Sequence, residues 1–417
     1  MEATQLTSSA MESARLTPRR ARRRDSLIAS AIDVINRDGV GNLDFPALMK
    51  AAGCGRAILY HYFANRSDLI YQCYRLSCLR AEELLETAAT KGTGLQCLSY
   101  YIETSIASPP LPTAVVSETS MLSPEQRSEI EGRIYALYGQ IERLLELGNR
   151  DGSLRRCDTP VVARVIHSMI AFSLVSRRWM IPAQWVTAAG LIEMLSHGAA
   201  GRRDFTFEYR DSADAFSRVS LANFDKQDLS ELRIEQILMV ASRMFNRQGI
   251  ENVSLEALAS ELGVSRGAIY HYFDDRQDLL LRCLERGVAL YHAFIDHAEQ
   301  HGRCGLEKSL IIGHLNVQAQ AGSLQPIMPW LGLESLPATL QPAYFEEMQR
   351  ILDRTSTIRE EGIEDGSRRS GRSSTDVARA GAFNWIPRWI EQLDNRSPTA
   401  IADEIVDLFS WGIGRSN

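Results

Sequence analysis

Gly263-Val264-Ser265-Arg266-Gly267-Ala268-Ile269-Tyr270-His271-Tyr272-Phe273 decides the fold of this chain, because it occurs twice. The other copy reads Gly53-Cys54-Gly55-Arg56-Ala57-Ile58-Leu59-Tyr60-His61-Tyr62-Phe63, and 263 − 53 gives an offset of 210. Between Arg23 and Cys73, eighteen positions match their partners without a gap, among them Asn36-Arg37, Gly39, Asn42, Arg66 and Asp68-Leu69. Duplication on this scale fixes the plan of the molecule before any element is assigned.

In the second copy, Ile237, Leu238, Ala241, Met244 and Phe245 recur at helical spacing and predict a first helix with one buried stripe. Gly249 ends it, since glycine accepts the left-handed conformation such a stop requires. Ser254 is placed to cap a short second helix, Leu255 to Glu261, and Gly263 to make the tight turn, with the small Ala259 at the helix crossing. Ser265 then caps a third helix running to His271. Asp275, three residues before Asp278, predicts a capped long fourth helix with Leu279, Leu280 and Cys283 inward. Short helix, glycine turn, short helix is the order of the helix-turn-helix reader, whose second helix enters the major groove.

These residues resemble the reading-helix signature of the TetR family of bacterial transcriptional regulators, strongly over about fifty residues of each copy and weakly beyond. The resemblance implies an all-α fold of two units, each a three-helix head plus a helical regulatory domain. It implies that Ser254, Tyr270, His271 and Arg276 lie at the phosphate backbone of double-stranded operator DNA, and that Ser265, Arg266 and Gly267 lie at the groove. Gly267 would let the backbone approach closely. In the first head the corresponding positions are Arg56, Ala57, Tyr60, His61 and Arg66. Ile269, Tyr272 and Phe273 read as packing residues.

The first head departs from this pattern. Asp44 stands in the place of Ser254, Gly55 of Ser265, Met49 of Ala259 and Cys54 of Val264, while Pro46 is tolerable in a first helical turn. A carboxylate facing phosphate and a missing cap predict a weaker or differently specific reader. A basic arm compensates: Arg15, Arg19, Arg20, Arg22, Arg23 and Arg24 form a local positive patch in a chain of net charge −6. The expected divisions are the arm at 1–21, a head at 22–75, a regulatory domain at 76–198, a linker at 199–230, a second head at 231–285 and a second regulatory domain at 286–417.

Composition is that of a soluble globular protein, with 45% hydrophobic and 24% charged residues. The most apolar stretch, Val161 to Ser176, is interrupted by Arg164 and His167, so no membrane span is expected. No secretory signal is evident, and seven scattered cysteines suit reduced thiols in a cytoplasm. No phosphate loop, dinucleotide fingerprint or nucleophile elbow occurs, so no enzyme and no cofactor is expected. His297, His301, Cys304 and His314 lack a metal-site motif and read as a solvated histidine-rich helix end.

Beyond the heads, Asp151-Gly152-Ser153 is echoed by Asp365-Gly366-Ser367, and Val162-Ala163-Arg164 by Val377-Ala378-Arg379. The closing segments, Gly381 to Trp389 and Glu404 to Gly412, resemble the last two helices of a TetR regulatory domain, which in that family pair with a second subunit as a four-helix bundle. With both halves on one chain the bundle is expected to close internally as a pseudo-dimer, with further pairing of two chains left open. Phe205, Phe207, Tyr209 and Phe216 predict that part of the linker packs on the body. Trp330, Tyr344, Met348 and Phe383 are candidates for a pocket holding a small hydrophobic effector; Tyr135, Tyr138, Trp179 and Trp185 read as core. The expectation is a ligand-responsive repressor. The alternative is a ligand-sensing interaction protein whose first head docks a protein partner.

Overall fold

The computed structural model describes residues 18–43, 45–53, 55–106, 113–116, 118–175, 187–202, 204–217, 226–327, 336–370, 380–393 and 396–415. Asp44, Cys54, Arg15, Trp179, Trp185, Trp330 and Val377 to Arg379 lie outside them. The described residues contain no strand, only two isolated bridges. No helix among them is long and apolar enough to cross a membrane. The chain forms two compact units: Met1–Leu84 with Ser108–Leu137, and Leu85–Ala107 with Tyr138–Asn417.

The first unit holds α1 (Pro18–Asp38), α2 (Phe45–Ala52), α3 (Arg56–Tyr62), most of α4 (Arg66–Ala88) and the start of α6 (Pro124–Asp151). Its core joins Leu27, Ile28, Ile35, Leu59, Phe63 and Cys73, with Ile130 of α6 closing it. Proline suits a first helical position, where its missing N–H costs nothing. Residues 1–17 of the expected arm lie outside the described residues, and Arg19, Arg20, Arg22, Arg23 and Arg24 lie in α1. Cations there oppose the positive end of the helix dipole, which phosphate would relieve.

The second unit holds α5 (Gly94–Ile106), α7 (Thr159–Val175), α8 (Ala188–His197), α9 (Lys226–Gln248), α10 (Leu255–Glu261), α11 (Arg266–Tyr270), α12 (Arg276–His301), α13 (Gly305–Ala321), α14 (Gln341–Glu364), the short α15 (Ile386–Trp389) and α16 (Pro398–Trp411). The repeated Asp-Gly-Ser does the same work in both halves. Asp151 accepts from Gly94 N at 2.8 Å and Ser153 Oγ from Leu95 N at 3.2 Å; Asp365 accepts from Gly305 N at 2.9 Å and Ser367 Oγ from Leu306 N at 3.1 Å. Each thus satisfies the free amides at the start of a helix. The crossings they fix are backbone to backbone: a Cβ on Gly94 would lie 2.2 Å from Gly148 N, and one on Gly305 2.1 Å from Gly362 N.

The closing helices exchange bonds reciprocally. Past α8, Ala199 N donates to Phe409 O and Ala200 N to Ser410 O, at 2.8 and 2.9 Å. Past α16, Ile413 N donates to Leu195 O and Gly414 N to Ser196 O, at 2.6 and 3.0 Å. The partners are related by 409 − 195 = 214 and 413 − 199 = 214. Both exits turn on glycines with positive φ, Gly198 at 64° and Gly412 at 66°. The bridges repeat the exchange, Leu154 with Gly414 and Ala200 with Arg368. Nearby, Trp389 donates to Ser168 Oγ at 3.2 Å, Trp385 meets Phe172 edge-on, and Arg396 grips Asp158 at 2.7 Å.

The linker packs as expected: Phe207, Tyr209 and Phe216 lie against Leu290, Phe294, Ile311 and Leu315. His297 bonds Asp211 of this strap at 3.1 Å and stacks on His301, while His314 bonds Asp403 at 2.9 Å.

Candidate nucleic-acid interface

In each head the same side chains build the scaffold. Asn42 donates to Asp38 O and Asn252 to Gln248 O, closing the turn after the first helix. Arg66 donates to Val40 O and Arg276 to Ile250 O at 3.2 Å, so both half-buried guanidinium groups hold that turn against the long helix. Asp68 accepts from Ala64 N and Asp278 from Asp274 N. Buried Cys73 and Cys283 donate to Ile28 O and Leu238 O, and burial pushes both thiols up, that of Cys283 to about 12.

The second head carries the expected caps. Ser254 Oγ accepts from Ala257 N at 3.0 Å and opens α10, and Ser265 Oγ accepts from Ala268 N at 3.3 Å and opens α11. Gly263 has φ 65°, a conformation for which glycine is suited. Asp275 caps α12 through Gln277 N and Asp278 N. On α11, Ile269 is buried and Phe273 closes the core, while Arg266, Gly267, Tyr270 and His271 are exposed. Ser254, Tyr270 and Arg276 line one concavity of about 280 Å³. It brings together three residues that the resemblance assigns to phosphate.

Glu256 was missed by sequence reasoning and also lines that concavity. Its carboxylate lies 2.6 Å from Arg266 Nη2, and Arg266 also donates to Tyr270 Oη at 3.1 Å. Tyr270 and then Glu256 raise the Arg266 pKa; its own backbone N–H and then Arg266 hold Glu256 low. The signal was its place, ten residues before the reading arginine in the first turn of the preceding helix.

In the first head, Gly55 stands before α3 with no side-chain cap. Arg56 lies 5.4 Å over the ring of Tyr60, as Arg266 lies 5.1 Å over Tyr270. Arg56, Ala57, Tyr60 and His61 are exposed, Leu59 and Phe63 buried, and Phe45 packs edge-on against Tyr60. Met49 is half-buried against the core. Of the arginines in α1, Arg24 reaches Gln72 Oε1, while Arg19, Arg20, Arg22 and Arg23 are exposed.

Of the pocket candidates, Tyr344 and Met348 are buried in the cluster that joins α14 to the core of the second head. Phe383 is half-buried against Gly313 and Phe409.

Two tri-helical heads, each presenting an arginine, a tyrosine and a histidine from a short helix set after a glycine turn, define a double helix-turn-helix protein. The chain matches "Bacterial regulatory proteins, tetR family" over residues 27–73 and again over 237–283. It matches "Tetracyclin repressor-like, C-terminal domain" over residues 96–179. It resembles that family in both heads and in the region after the first, the matched segments together covering less than half of the chain.

Among curated relatives, an HTH-type transcriptional regulator of Staphylococcus aureus strain USA300 is 33% identical over 75 residues, which are 18% of this chain and 38% of the relative. The protein of strain N315 aligns with the same figures. The chain therefore spans less than two fifths of the length of these relatives. Among solved structures, a TetR-family regulator from Bordetella parapertussis 12822 is 23% identical, covering 43% of this chain and 94% of that one, with a TM-score of 0.36. The TetR-family regulator PfmR from Thermus thermophilus is 23% identical over 42% of this chain and 96% of its own, with a TM-score of 0.34.

Proposed function

We propose that this protein is a DNA-binding transcriptional regulator that presents two unlike reading heads from one chain and leaves its operator, as a repressor does, when a small molecule binds a regulatory half. The observation that carries the reading is the exposed Arg-Tyr-His set, at Arg56, Tyr60 and His61 and again at Arg266, Tyr270 and His271, on helices otherwise anchored in their cores. Guanidinium suits bidentate contact with guanine, and phenol and imidazole suit phosphate. The reciprocal bonds past α8 and α16 support an intramolecular pseudo-dimer, because such exchange is the signature of an isologous twofold interface. The two arms of the dyad are then chemically different, so the operator is an imperfect palindrome.

Selection of bound duplexes from a random pool, followed by titration against salt, tests this. The expected log–log slope is roughly −5 or steeper, that of about six phosphate contacts, with one chain per duplex by native mass spectrometry. A salt-insensitive interaction would sink the DNA reading. Two chains on every duplex, even at the lowest protein concentration, would remove the pseudo-dimer.

A further inference from the structure

Asn246 and Gln320 of the second repeat share one carbonyl, with Tyr291 and Asn316 close to Gln320 and Gln325 next to that carbonyl's residue in the chain. Tyr291 of α12, Asn316 and Gln320 of α13, and Gln325 just beyond α13 are all buried, Gln320 completely. Asn316 Oδ1, Gln320 Oε1 and Gln325 Oε1 have no hydrogen-bond partner among the described residues. Asn316 and Gln320, one turn apart, both lie close enough to Tyr291 to pull its hydroxyl pKa down, against the burial that pushes it up to about 12. None of the groups that set that hydroxyl carries a charge. Gln320 Nε2 donates to Pro326 O at 3.2 Å, and the same carbonyl accepts from Asn246 Nδ2 at 2.9 Å. Asn246 belongs to α9, the first helix of the second head. Beside Pro326, Gln325 holds φ 33°, the one positive value on a residue other than glycine among those described; this is a strained conformation of the kind stored at switch segments.

Three buried amide oxygens without a protein donor oppose folding. Sequence positions show that the first repeat lacks the set. The offset of 211 that relates Gly94 to Gly305 puts Ser105 and Pro109 where the second repeat has Asn316 and Gln320, and the head offset of 210 puts Ala81 at Tyr291. In the first repeat Asn36 makes the equivalent latch, donating to Thr113 O at 2.8 Å.

We infer that Tyr291, Asn316, Gln320 and Gln325 form the effector site of the second repeat, that it takes a neutral molecule rich in N–H donors, and that Pro326 O relays its occupancy to the head. The inference rests on the proposed regulatory reading and names the ligand class and the coupling. Donors are required because the three unpaired atoms are amide oxygens, pure acceptors. Neutrality is required because a buried ion would find no countercharge among these groups. A ligand that engages Gln320 takes it from Pro326 O, and the strained loop is then held by Asn246 alone. This replaces the apolar effector expected from the aromatic residues.

The test uses the full chain. Gln320→Met and Asn316→Leu remove unpaired amides with little change in volume, so each is expected to raise the melting temperature by about 2 °C. A fall in both variants would mean that the amides are satisfied in solution, and the proposal fails. Benzamide, benzoate, benzamidine and toluene share a ring and differ in polarity and charge. Benzamide alone is expected to raise the melting temperature of the parent chain, and the double variant to lose that shift. A shift from toluene, benzoate or benzamidine equal to that of benzamide overturns the ligand class. In Asn246→Ala, benzamide is expected to bind still but no longer to weaken operator binding; unchanged weakening overturns the relay. Absence of operator binding by the untreated chain would instead defeat the regulatory reading and leave the stability and probe results standing.

Discussion

The two heads share their scaffold bond for bond and differ at the exposed rim of the short third helix. Asn42 and Asn252, Arg66 and Arg276, Asp68 and Asp278, and Cys73 and Cys283 each make the same contact in both copies. At the rim, Ser265 caps its reading helix whereas Gly55 offers no side chain, and Glu256 holds Arg266 where the first head has Pro46. A fold of this size tolerates little change in the groups that satisfy buried backbone atoms. The exposed rim is free to vary, and on the proposed reading variation there alters what is read. The second head is better built but carries its own competitor for the reading arginine.

The regulatory halves diverge further, and acid should expose it most strongly. His167 of α7 has its Nδ1 buried and unpartnered, and desolvation lowers its pKa to about 4 from 6.5. His314 of α13 is lowered too, by burial, but its bond to Asp403 opposes the shift. A histidine lowered on folding stabilises fully above its unfolded pKa and loses that contribution as pH falls towards the folded one. Denaturant titrations should therefore show about 3 kcal/mol lost between pH 6.5 and 4 on account of His167. His167→Ala should flatten that stretch more than His314→Gln does. Equal flattening would erase the contrast.

On one operator at fixed salt, Arg266→Ala is expected to weaken binding roughly ten- to a hundredfold and Arg56→Ala less. The reverse order would make the first head dominant. Glu256→Gln should strengthen binding several-fold, by releasing Arg266 and removing a charge that repels phosphate; Pro46→Glu should do the opposite in the first head. Weaker binding by Glu256→Gln would recast that carboxylate as a positioning group. The smallest effect is at the cap: Gly55→Ser should add a few tenths of a kcal/mol of stability. Hydrogen exchange at Ile58 N, which donates to Gly55 O, reports it.

The heads were legible because capping and periodicity are local. Ser254, Ser265, Gly249, Gly263 and Asp275 lie within a turn of what they organise. The Asp-Gly-Ser repeat was visible as a repeat, but its purpose was not, since Asp151 serves an amide 57 residues away. The arginine run read as an arm because a block of like charges suggests a solvated tail, masking the helix-start signal in Thr17-Pro18. Glu256 and the Asn316–Gln320 pair escaped for another reason: polar residues on amphipathic helices look solvated until the packing around them is known.

The exchange between the ends of α8 and α16 also sets a timetable. Leu195 and Ser196 receive their donors from Ile413 and Gly414, and 413 − 195 is 218 residues of further synthesis. At about 5–20 residues per second that is a wait of roughly 10–40 s. Throughout it α7, buried from Val161 to Ile166 and again at Phe172 in the finished protein, lacks Trp385 and Trp389 as covering partners. The nascent first repeat is therefore expected to expose that apolar face until the second arrives, for longer when translation is slow.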